Sequence, residues 1–566
     1  MMRRLLLGAG LLGLITSLTA GAGRAARAAD EPALPAIDGA AVLEHTKTLA
    51  SDEFEGRAPG TRGEERTVAY LVDQLKKAGL QPGHPDGGWV QAVPLVGTTV
   101  EGAPVMTFKK GDVARSLAWR EDHVTWTKRV TEQVALRDSA LVFVGYGVTA
   151  PEFGWDDFKG VDLKGKTMVV LVGDPPVPDP ANPSELDPKA FGGPAMTYYG
   201  RWTYKYEEGA RRGADGVLIV HETGPAGYPF AIVQGKTGEQ FDLATADGNA
   251  GRAAVEGWIS LEQAQALFAT AGQDFQSLKQ RAVTREFQPV PLGVTASLSL
   301  NNRIRKVPSA NVVARIEGSD PVLKNEWVVY TTHWDHFGIG EPVNGDNVYR
   351  GAIDNASGTG GLIELARAFK KASPAPKRSI LFLFVTAEEQ GLLGSAYYAE
   401  HPLYPLAKTL ASLNLDALNV YGRTRDLTIV GLGLSTLDDA VEKGAAEQGR
   451  VVKADPTPEK GSYYRSDHFP FARVGVPALH AGGGIEYVGK PSDYGKKLRE
   501  DYTRNDYHKP SDRVKPDWDL SGAMEDLSLY LRLGYRIAQG DEWPAWKPGA
   551  EFKAKRDAML KAAGAP

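Results

Sequence analysis

Histidine and carboxylate side chains follow three apolar segments in the second half of the chain. The stretch "WVVYTTHWD" ends in His333 and Asp335, "ILFLFVTAEE" ends in Glu388 and Glu389, and "SLNLDA" contains Asp416. Each segment is a continuous apolar run of the kind that forms a buried strand. Imidazole and carboxylate groups are the ligands that divalent ions such as zinc take from proteins. The three strand ends therefore predict metal chemistry.

Two loops add further groups of the same kind. "RGAIDNASGTGG" presents Asp354 before a glycine-rich entry into a helix, and "DYHKPSD" offers His508 in a turn. Taken singly, each motif has an ordinary structural explanation, such as an Asx turn or acidic residues that favour a helix N-terminus. Together they concentrate both kinds of ligand in a chain that has only ten histidines. Clustered carboxylates would also destabilise the fold unless a cation neutralised them.

The donor set narrows the metal and the reaction. Two imidazoles, three carboxylates and no thiolate suit zinc, with manganese or cobalt as alternatives, and suit two ions better than one. A two-metal site can polarise a carbonyl and activate water, as amide hydrolysis requires. Asp335 lies two residues after His333 and can orient its imidazole. Glu388, beside a ligand but not needed as one, is left free as a general base.

The surrounding pattern predicts how these residues are positioned. After about residue 305, apolar strands alternate with helices, which indicates an α/β fold with a largely parallel (mixed) central sheet flanked by helices. Ligands of such sheets bind at the carboxyl ends of the strands. Residues 31 to about 90 have helical periodicity, whereas residues 95 to 300 are rich in short strands and Gly/Pro turns.

The motifs resemble those of a known family. "HWD", "GAIDNASG", "TAEEQGLLGS", "NLDA" and "YHKPSD", in this order, are similar to those of the zinc exopeptidases of peptidase family M28, the aminopeptidase and glutamate carboxypeptidase group. The resemblance covers residues 308 to about 540 and extends to "FEGRAPGTRGEE" near the N-terminus. It implies the zinc exopeptidase (phosphorylase/hydrolase-like) fold and peptides as substrates.

The resemblance also implies a role for each ligand. His333, Asp354 and Asp416 would bind one zinc, and Asp354 would bridge to a second zinc. Glu389 and His508 would complete that second site, with Glu388 as the base. This gives two Zn²⁺ per chain.

Other residues near the motifs are weaker candidates. Tyr463 lies where some aminopeptidases of the family place a tyrosine that stabilises the tetrahedral intermediate, although Tyr464 could fill that role. Arg350 and Arg465 are candidate substrate ligands, because a terminal carboxylate needs a fork of arginine donors. Three histidines near the motifs are more often structural than functional but could line the pocket. They are His336, His468 and His480.

The order of segments predicts five regions. They are a signal peptide (1–28), a first part of the peptidase domain (29–115), an inserted domain (116–300), the peptidase domain with the metal site (301–545) and a solvated C-terminal tail (546–566). The inserted segment, with "LVFVGYGV" and "ADGVLIVHE", resembles a protease-associated domain. Such an insert would shape substrate access.

Composition limits the compartment and the partners. The N-terminus has two arginines, an apolar run from Leu5 to Ala20 and a small-residue cleavage point before Ala29, as in a secretory signal. The run is shorter than the ~20 residues that span a bilayer, so no membrane anchor is expected. The net charge of −5 offers no basic field for nucleic acid. A periplasmic or secreted protein follows, with its oligomeric state open.

The favoured function is therefore an exported zinc aminopeptidase. The alternatives are a carboxypeptidase acting on C-terminally acidic peptides, a cyclase-type relative with one zinc and a non-catalytic binding relative. The complete set of ligands and the base argues against the last two. Substrate side-chain specificity depends on loops that the sequence does not place.

Overall fold

The computed structural model describes residues 33–235 and 238–564. The predicted signal peptide and its cleavage point near Ala29 lie outside the described residues. From Leu34 onward the chain forms one compact unit. Within the described part of the chain, every helix is too short or too polar to cross a bilayer.

The helices alternate with strands along most of the chain. In order they are α1 Gly39–Leu49, α2 Arg62–Lys77, α3 Trp202–Arg211, α4 Thr223–Ala226, α5 Phe230–Gln234, α6 Leu261–Ala271, α7 Phe275–Arg281, α8 Gly358–Lys371, α9 Leu393–Glu400, α10 Leu437–Glu447, α11 His468–Arg473, α12 Tyr494–Asn505, α13 Ser521–Gln539 and α14 Lys553–Ala563.

The strands are short except for one. In order they are β1 Gln81–Pro82, β2 Val90–Glu101, β3 Met106–Lys110, β4 Val113–Leu117, β5 His123–Trp126, β6 Gln133–Phe143, β7 Thr149–Ala150, β8 Trp155–Asp156, β9 Thr167–Leu171, β10 Gly216–Val220, β11 Gln240–Leu243, β12 Val255–Ile259, β13 Val290–Ile316, β14 Trp327–His333, β15 Gly338–Val343, β16 Asp346–Tyr349, β17 Ser379–Val385, β18 Thr409–Asn414, β19 Asp426–Val430, β20 Val451–Ala454 and β21 Ala478–Gly483.

The sheet of the second half runs in the order β2, β13, β17, β14, β18, β21, β19, β20. Its centre, β17, β14, β18 and β21, is parallel, and antiparallel neighbours flank it on both sides. The predicted mixed α/β sheet is confirmed.

Both faces of this sheet are covered. Along β17, Ile380 and Phe382 pack into one apolar cluster with α8 and α13, whereas Leu381 and Leu383 pack into another with α11. Alternate residues of a strand point to opposite faces, so a strand buried on both faces must be apolar throughout. This requirement explains the continuous apolar runs on which the prediction depends.

Residues 106–300 build a second sheet in the order β4, β3, β13, β6, β9, β10, β12, β5. The 27-residue strand β13 belongs to both sheets, because its first half pairs with β6 and its second half with β2 and β17. The boundary predicted at residue 300 lies within this strand. The second sheet also begins earlier than residue 116, at β3. Apolar alternation does not mark where a strand changes partner.

The C-terminal segment is not a solvated end. Residues 546–566 were expected to be a tail, but Trp546 is buried and α14 packs against the domain. The buried Arg556 of α14 donates hydrogen bonds to the main-chain oxygens of Leu406 and Thr409. The Lys/Ala composition concealed the contacts of Trp546, Phe552 and Arg556 within this segment.

Candidate metal centre and active site

The predicted ligands lie at one edge of the central sheet. β14 ends at His333, β17 ends three residues before Glu388, and β18 ends two residues before Asp416. The three strands are parallel neighbours, so their carboxyl ends lie side by side. Asp354 is in the turn that leads into α8, and His508 follows α12.

One group of ligands surrounds His333. Its Nε2 lies 3.2 Å from Asp354 Oδ1 and 3.3 Å from Asp416 Oδ1. The side chain of His333 is 1% exposed, whereas that of Asp416 is 16% exposed. The group is therefore buried on one side and open on the other, as a site that admits substrate must be.

A second group surrounds His508 and shares Asp354 with the first. His508 Nε2 lies 3.2 Å from Asp354 Oδ2 and 3.1 Å from Glu389 Oε2. Asp354 thus directs one oxygen to each histidine. This is the arrangement predicted for a bridging carboxylate between two metal positions.

The donor geometry fits zinc. Ligand atoms at ~2.0–2.2 Å from a tetrahedral ion stand about 3.3–3.5 Å from one another, close to the distances within both groups. His508 Nε2 is buried and makes no hydrogen bond, although two carboxylate oxygens surround it. A ring nitrogen that faces two carboxylate oxygens is placed to bind a cation together with them once it has lost its proton.

The charges of the cluster act strongly on one another. Burial alone would lower the pKa of His508, but Glu389 and Asp354 outweigh it and raise that pKa to about 9. Glu388, Asp354 and Asp416 likewise raise the pKa of His333 well above its usual value against the effect of burial. Without metal, protonated imidazoles balance the carboxylates. A bound cation must displace those protons.

This exchange predicts a pH-dependent zinc affinity. Below pH 9 zinc must release a proton from His508, so the affinity should rise with pH by up to about tenfold per pH unit, and the rise should level off near pH 9. Competition with a chelator at each pH measures it, and calorimetry in buffers of different ionisation enthalpy counts the released protons. A zinc affinity that did not change over this pH range would show that zinc does not displace a proton from His508.

Asp335 connects the first histidine to the candidate base. His333 Nδ1 lies 3.2 Å from the main-chain oxygen of Asp335 and 3.8 Å from its Oδ1. The carboxylate instead accepts a hydrogen bond from the main-chain nitrogen of Glu388, at 3.1 Å. The main-chain contact leaves His333 Nε2 free for metal. Asp335 therefore contacts the imidazole mainly through its main chain, whereas its carboxylate holds the main chain of Glu388.

Glu388 lies beside the first group. One of its oxygens, a nitrogen of His333 and an oxygen of Asp416 all lie within 4.8 Å of one another. Burial, with the negative charges of Glu389 and Asp416, raises the pKa of Glu388 well above its usual value despite His333. A half-buried carboxyl with a raised pKa beside a candidate metal position suits proton transfer.

Some residues that act on the site carried no recognisable sequence signal. Ser466 donates a 2.5 Å hydrogen bond to Asp416 Oδ2 and accepts one from Asn414. Tyr507 stacks on the ring of His508, with ring centres 3.6 Å apart. Both are next to residues that were predicted, so adjacency was the one available clue.

Tyr463 lies in apolar surroundings. Its ring contacts Tyr464, His468 and Phe552, and its buried hydroxyl makes no hydrogen bond among the described residues. These contacts connect Tyr463 to the apolar cluster of α11 rather than to the carboxylates. The tyrosine that the structure places against a metal ligand is Tyr507.

The two candidate arginines differ in their contacts. The guanidinium of Arg350 pairs with Asp52 and Asp346, so it is not available to a substrate. Arg465 is exposed and makes no side-chain hydrogen bond or ion pair within the described part of the chain. It directly precedes Ser466, which contacts Asp416. Of these two arginines, Arg465 is therefore the one that can meet an anionic group beside the ligand cluster.

A further arginine comes from the second sheet's lobe. A Cβ on Gly461 would stand 3.3 Å from Arg201 Cδ, so Arg201 packs against the segment that carries Arg465. Arg201 Nε is buried without a hydrogen-bond partner. Burial lowers the pKa of Arg201 to about 10, and the like charge of Arg465 adds to this effect. Within the described ranges, Arg201 and Arg465 thus bring two cationic groups without acidic partners to the segment that precedes Ser466.

The three histidines near the motifs occupy different positions. His336 is fully buried, and its Nδ1 lies 2.6 Å from Glu389 Oε1. His468 is buried against Tyr463, and His480 Nδ1 lies 3.3 Å from Asn414 Nδ2. His336 is therefore the one of these three that contacts a predicted metal ligand.

Comparison with known proteins gives a family match over the segment that carries the ligand cluster. Residues 311–532 match the model of peptidase family M28. The chain is 34% identical over 131 residues to aminopeptidase NAALADL1 of Mus musculus, which covers 22% of this chain and 16% of that protein. It is 36% identical over 265 residues to a probable glutamate carboxypeptidase of Arthroderma benhamiae, which covers 44% of this chain and 33% of that protein.

A solved structure shares the fold. An aminopeptidase from Aneurinibacillus sp. strain AM-1 superposes with a TM-score of 0.50 at 18% identity, over 90% of this chain and 95% of that one. The curated relatives above are matched over a third of their length or less. The match to peptidase family M28 spans residues 311–532, and the described ligand cluster lies within these residues.

Proposed function

We propose that the protein is an exported zinc-dependent aminopeptidase that removes N-terminal residues from peptides. The observation that carries this proposal is the pair of ligand groups that share Asp354, with Glu388 beside them. The family match supports peptide substrates. The complete ligand set and the candidate base favour catalysis over a binding role.

The reaction follows from the positions of the side chains. Two zinc ions held by these groups would polarise the scissile carbonyl and lower the pKa of the attacking water. Glu388 accepts the proton of that water and returns it to the departing amine. Burial raises the pKa of Glu388, and the positive charge of bound zinc would lower it again. The carboxylate form of Glu388 would then be available as a base. Asp335 keeps the main chain of Glu388 in place.

The unpaired arginines suggest how a short peptide is held. Arg465 and Arg201 offer guanidinium donors beside the cluster, and a carboxylate is a suitable acceptor for such donors. We assign them to the far carboxylate of a dipeptide or tripeptide. In this arrangement the scissile bond lies at the metals and the free carboxylate lies toward the second lobe.

Arg465→Ala should therefore raise KM for dipeptides about tenfold, since a hydrogen bond to a charged group is lost. KM for aminoacyl nitroanilides, which have no carboxylate, should stay within about twofold. Steady-state kinetics on both substrate types measure the difference. Arg504→Ala is the matched control, because Arg504 is exposed and pairs only with Asp501. Equal effects of Arg465→Ala on both substrates would exclude carboxylate binding.

Because of the same arginines, carboxypeptidase activity is the second candidate function. A terminal carboxylate next to the scissile bond would also need such donors, and one relative carries the name glutamate carboxypeptidase. Incubating the zinc-loaded protein with free and N-acetylated peptides separates the two functions. We expect the protein to release N-terminal residues from free peptides and to leave acetylated peptides uncleaved. Release of C-terminal glutamate from acetylated peptides would overturn the aminopeptidase assignment.

Location and the second lobe complete the proposal. The N-terminal sequence favours export to the periplasm or the medium, with a mature chain that begins near Ala29. Sequencing of the protein from native cells that recovered Met1 would contradict this.

The lobe of residues 106–300 is proposed to be a protease-associated domain that narrows access of substrate to the site, because its Arg201 lies beside the segment of Arg465.

A further inference from the structure

The turn that carries Asp354 is held from two sides by buried charged residues. Arg57 and Asp512 are each 1% exposed, and neither is a metal ligand in the proposed site. Arg57 comes from the N-terminal helical region and Asp512 from the segment after His508. Nearly all hydrogen bonds of these two side chains are to main-chain groups.

Arg57 binds carbonyl oxygens on both ligand-bearing segments. Its Nε donates to Trp334 O at 2.8 Å, beside His333, and its Nη2 donates to Gly351 O at 2.9 Å. Its Nη1 donates to Arg350 O at 2.6 Å and to Leu49 O at 2.7 Å. One guanidinium therefore fixes the end of β14 relative to the Asp354 turn.

Asp512 binds the amides of the same turn. Its Oδ1 accepts from Ile353 N at 3.0 Å and its Oδ2 from Asp354 N at 3.1 Å. The amide of Ala352 donates to the main-chain oxygen of Asp512 at 3.2 Å. Because His508 lies four residues earlier, Asp512 also ties the turn to the second histidine.

The turn is tightly packed at Gly351. Gly351 has φ of +54°, and a Cβ there would stand 2.2 Å from Asp354 O and 2.5 Å from His336 Cγ. The guanidinium of Arg57 binds the carbonyl oxygens of residues 350 and 351. The carboxylate of Asp512 binds the amides of residues 353 and 354, so each charge meets the end of the peptide dipole that it favours. The pair thus matches the polarity of the turn.

We propose that Arg57 and Asp512 are positioning residues that form a clamp on the Asp354 turn, so that its two oxygens face both histidines before metal arrives. The inference rests on the proposed function only in that Asp354 is taken as a shared ligand. The clamp is set before any ion binds, so loosening it exposes the turn in the metal-free protein and weakens zinc binding in the loaded one.

Asp512→Asn tests the clamp, since it replaces one acceptor by an amide that faces a main-chain N–H. Asp426→Asn is the matched control. Asp426 is equally buried and accepts from Ile485 N and Glu486 N at 3.1 and 2.8 Å, but it holds no ligand segment. Arg57→Lys is paired in the same way with Arg556→Lys, because Arg556 is buried and also donates to carbonyls.

Two measurements apply to each variant: hydrogen exchange of residues 350–357 without metal, and zinc dissociation constants by chelator competition. We expect faster exchange and at least about a tenfold weaker zinc affinity in Asp512→Asn and Arg57→Lys, the range for residues that orient ligands. The controls should lose thermal stability without either change. Equal changes in variants and controls would overturn the clamp.

Tyr502→Phe keeps the test decisive if both buried variants fail to fold. It removes only the hydroxyl that donates to Asp512 Oδ2 at 3.3 Å, and about threefold weaker zinc binding is expected. Unchanged binding would count against the clamp. Failure of the wild-type protein to bind zinc would instead contradict the proposed function, and the exchange measurement would still decide the clamp.

Discussion

Glu388→Gln should lower kcat by at least about 10²-fold while the zinc content stays that of the wild type. The amide keeps the shape of the side chain but cannot accept the proton of the attacking water. The hydrogen bond from the Glu388 main chain to Asp335 is unaffected, so the loop should stay in place. Steady-state kinetics together with metal analysis of the purified variant check both statements.

The neighbouring glutamate supplies the contrast. Glu389 Oε2 lies 3.1 Å from the unpaired nitrogen of His508, so Glu389→Gln should weaken zinc binding as well as activity. If both variants lost zinc to the same extent, Glu388 would be a ligand rather than the base. Its position within 4.8 Å of His333 and Asp416 makes this comparison necessary.

Asp354→Asn should remove one zinc or both and lower kcat/KM by at least about 10²-fold, beyond the usual effect of residues that only orient ligands. Each carboxylate oxygen of Asp354 lies 3.2 Å from a different histidine nitrogen. An amide leaves a single oxygen, so the two groups can no longer share this ligand. Zinc analysis after dialysis and kinetics on a nitroanilide measure the two effects.

Asp426→Asn again serves as control, since it alters a buried carboxylate that accepts two main-chain amides outside the cluster. It should keep its zinc. Retention of two zinc ions by Asp354→Asn would show that Asp354 does not bridge the two groups.

The sequence alone was enough to predict the sheet centre and the side chains that lie together at its edge. β14, β17 and β18 are buried on both faces, which forces continuous apolar runs, and their parallel order brings the residues after each run together. Asp354 and His508 lie outside strands and were found through their resemblance to family motifs.

The contacts that hold the ligands could not be predicted. Arg57 contacts Arg350 across 293 residues, and no spacing rule reveals such a hydrogen bond. Arg350 was a candidate for substrate binding until the structure placed it against Asp52. Sequence position shows that an arginine is near a motif, but only the fold shows whether an acid already neutralises it.

The direction in which a side chain points from a turn could not be predicted from the sequence either. Tyr463 lies three residues before Ser466 in a short helical turn, and that turn directs its ring into the apolar cluster of α11. Arg201 packs against the segment of Gly461 from a separate lobe, so its position depends on how β13 joins the two sheets. These features arise from tertiary packing, which overrides local pattern.

A zinc titration of the metal-free protein, followed by hydrolysis of an aminoacyl nitroanilide, tests the central claim most directly. The two ligand groups that share Asp354 predict activity that rises with added zinc and saturates at two equivalents per chain. Saturation at one equivalent would contradict the two-ion site. Zinc binding without any hydrolysis would contradict the assignment of the protein as an aminopeptidase.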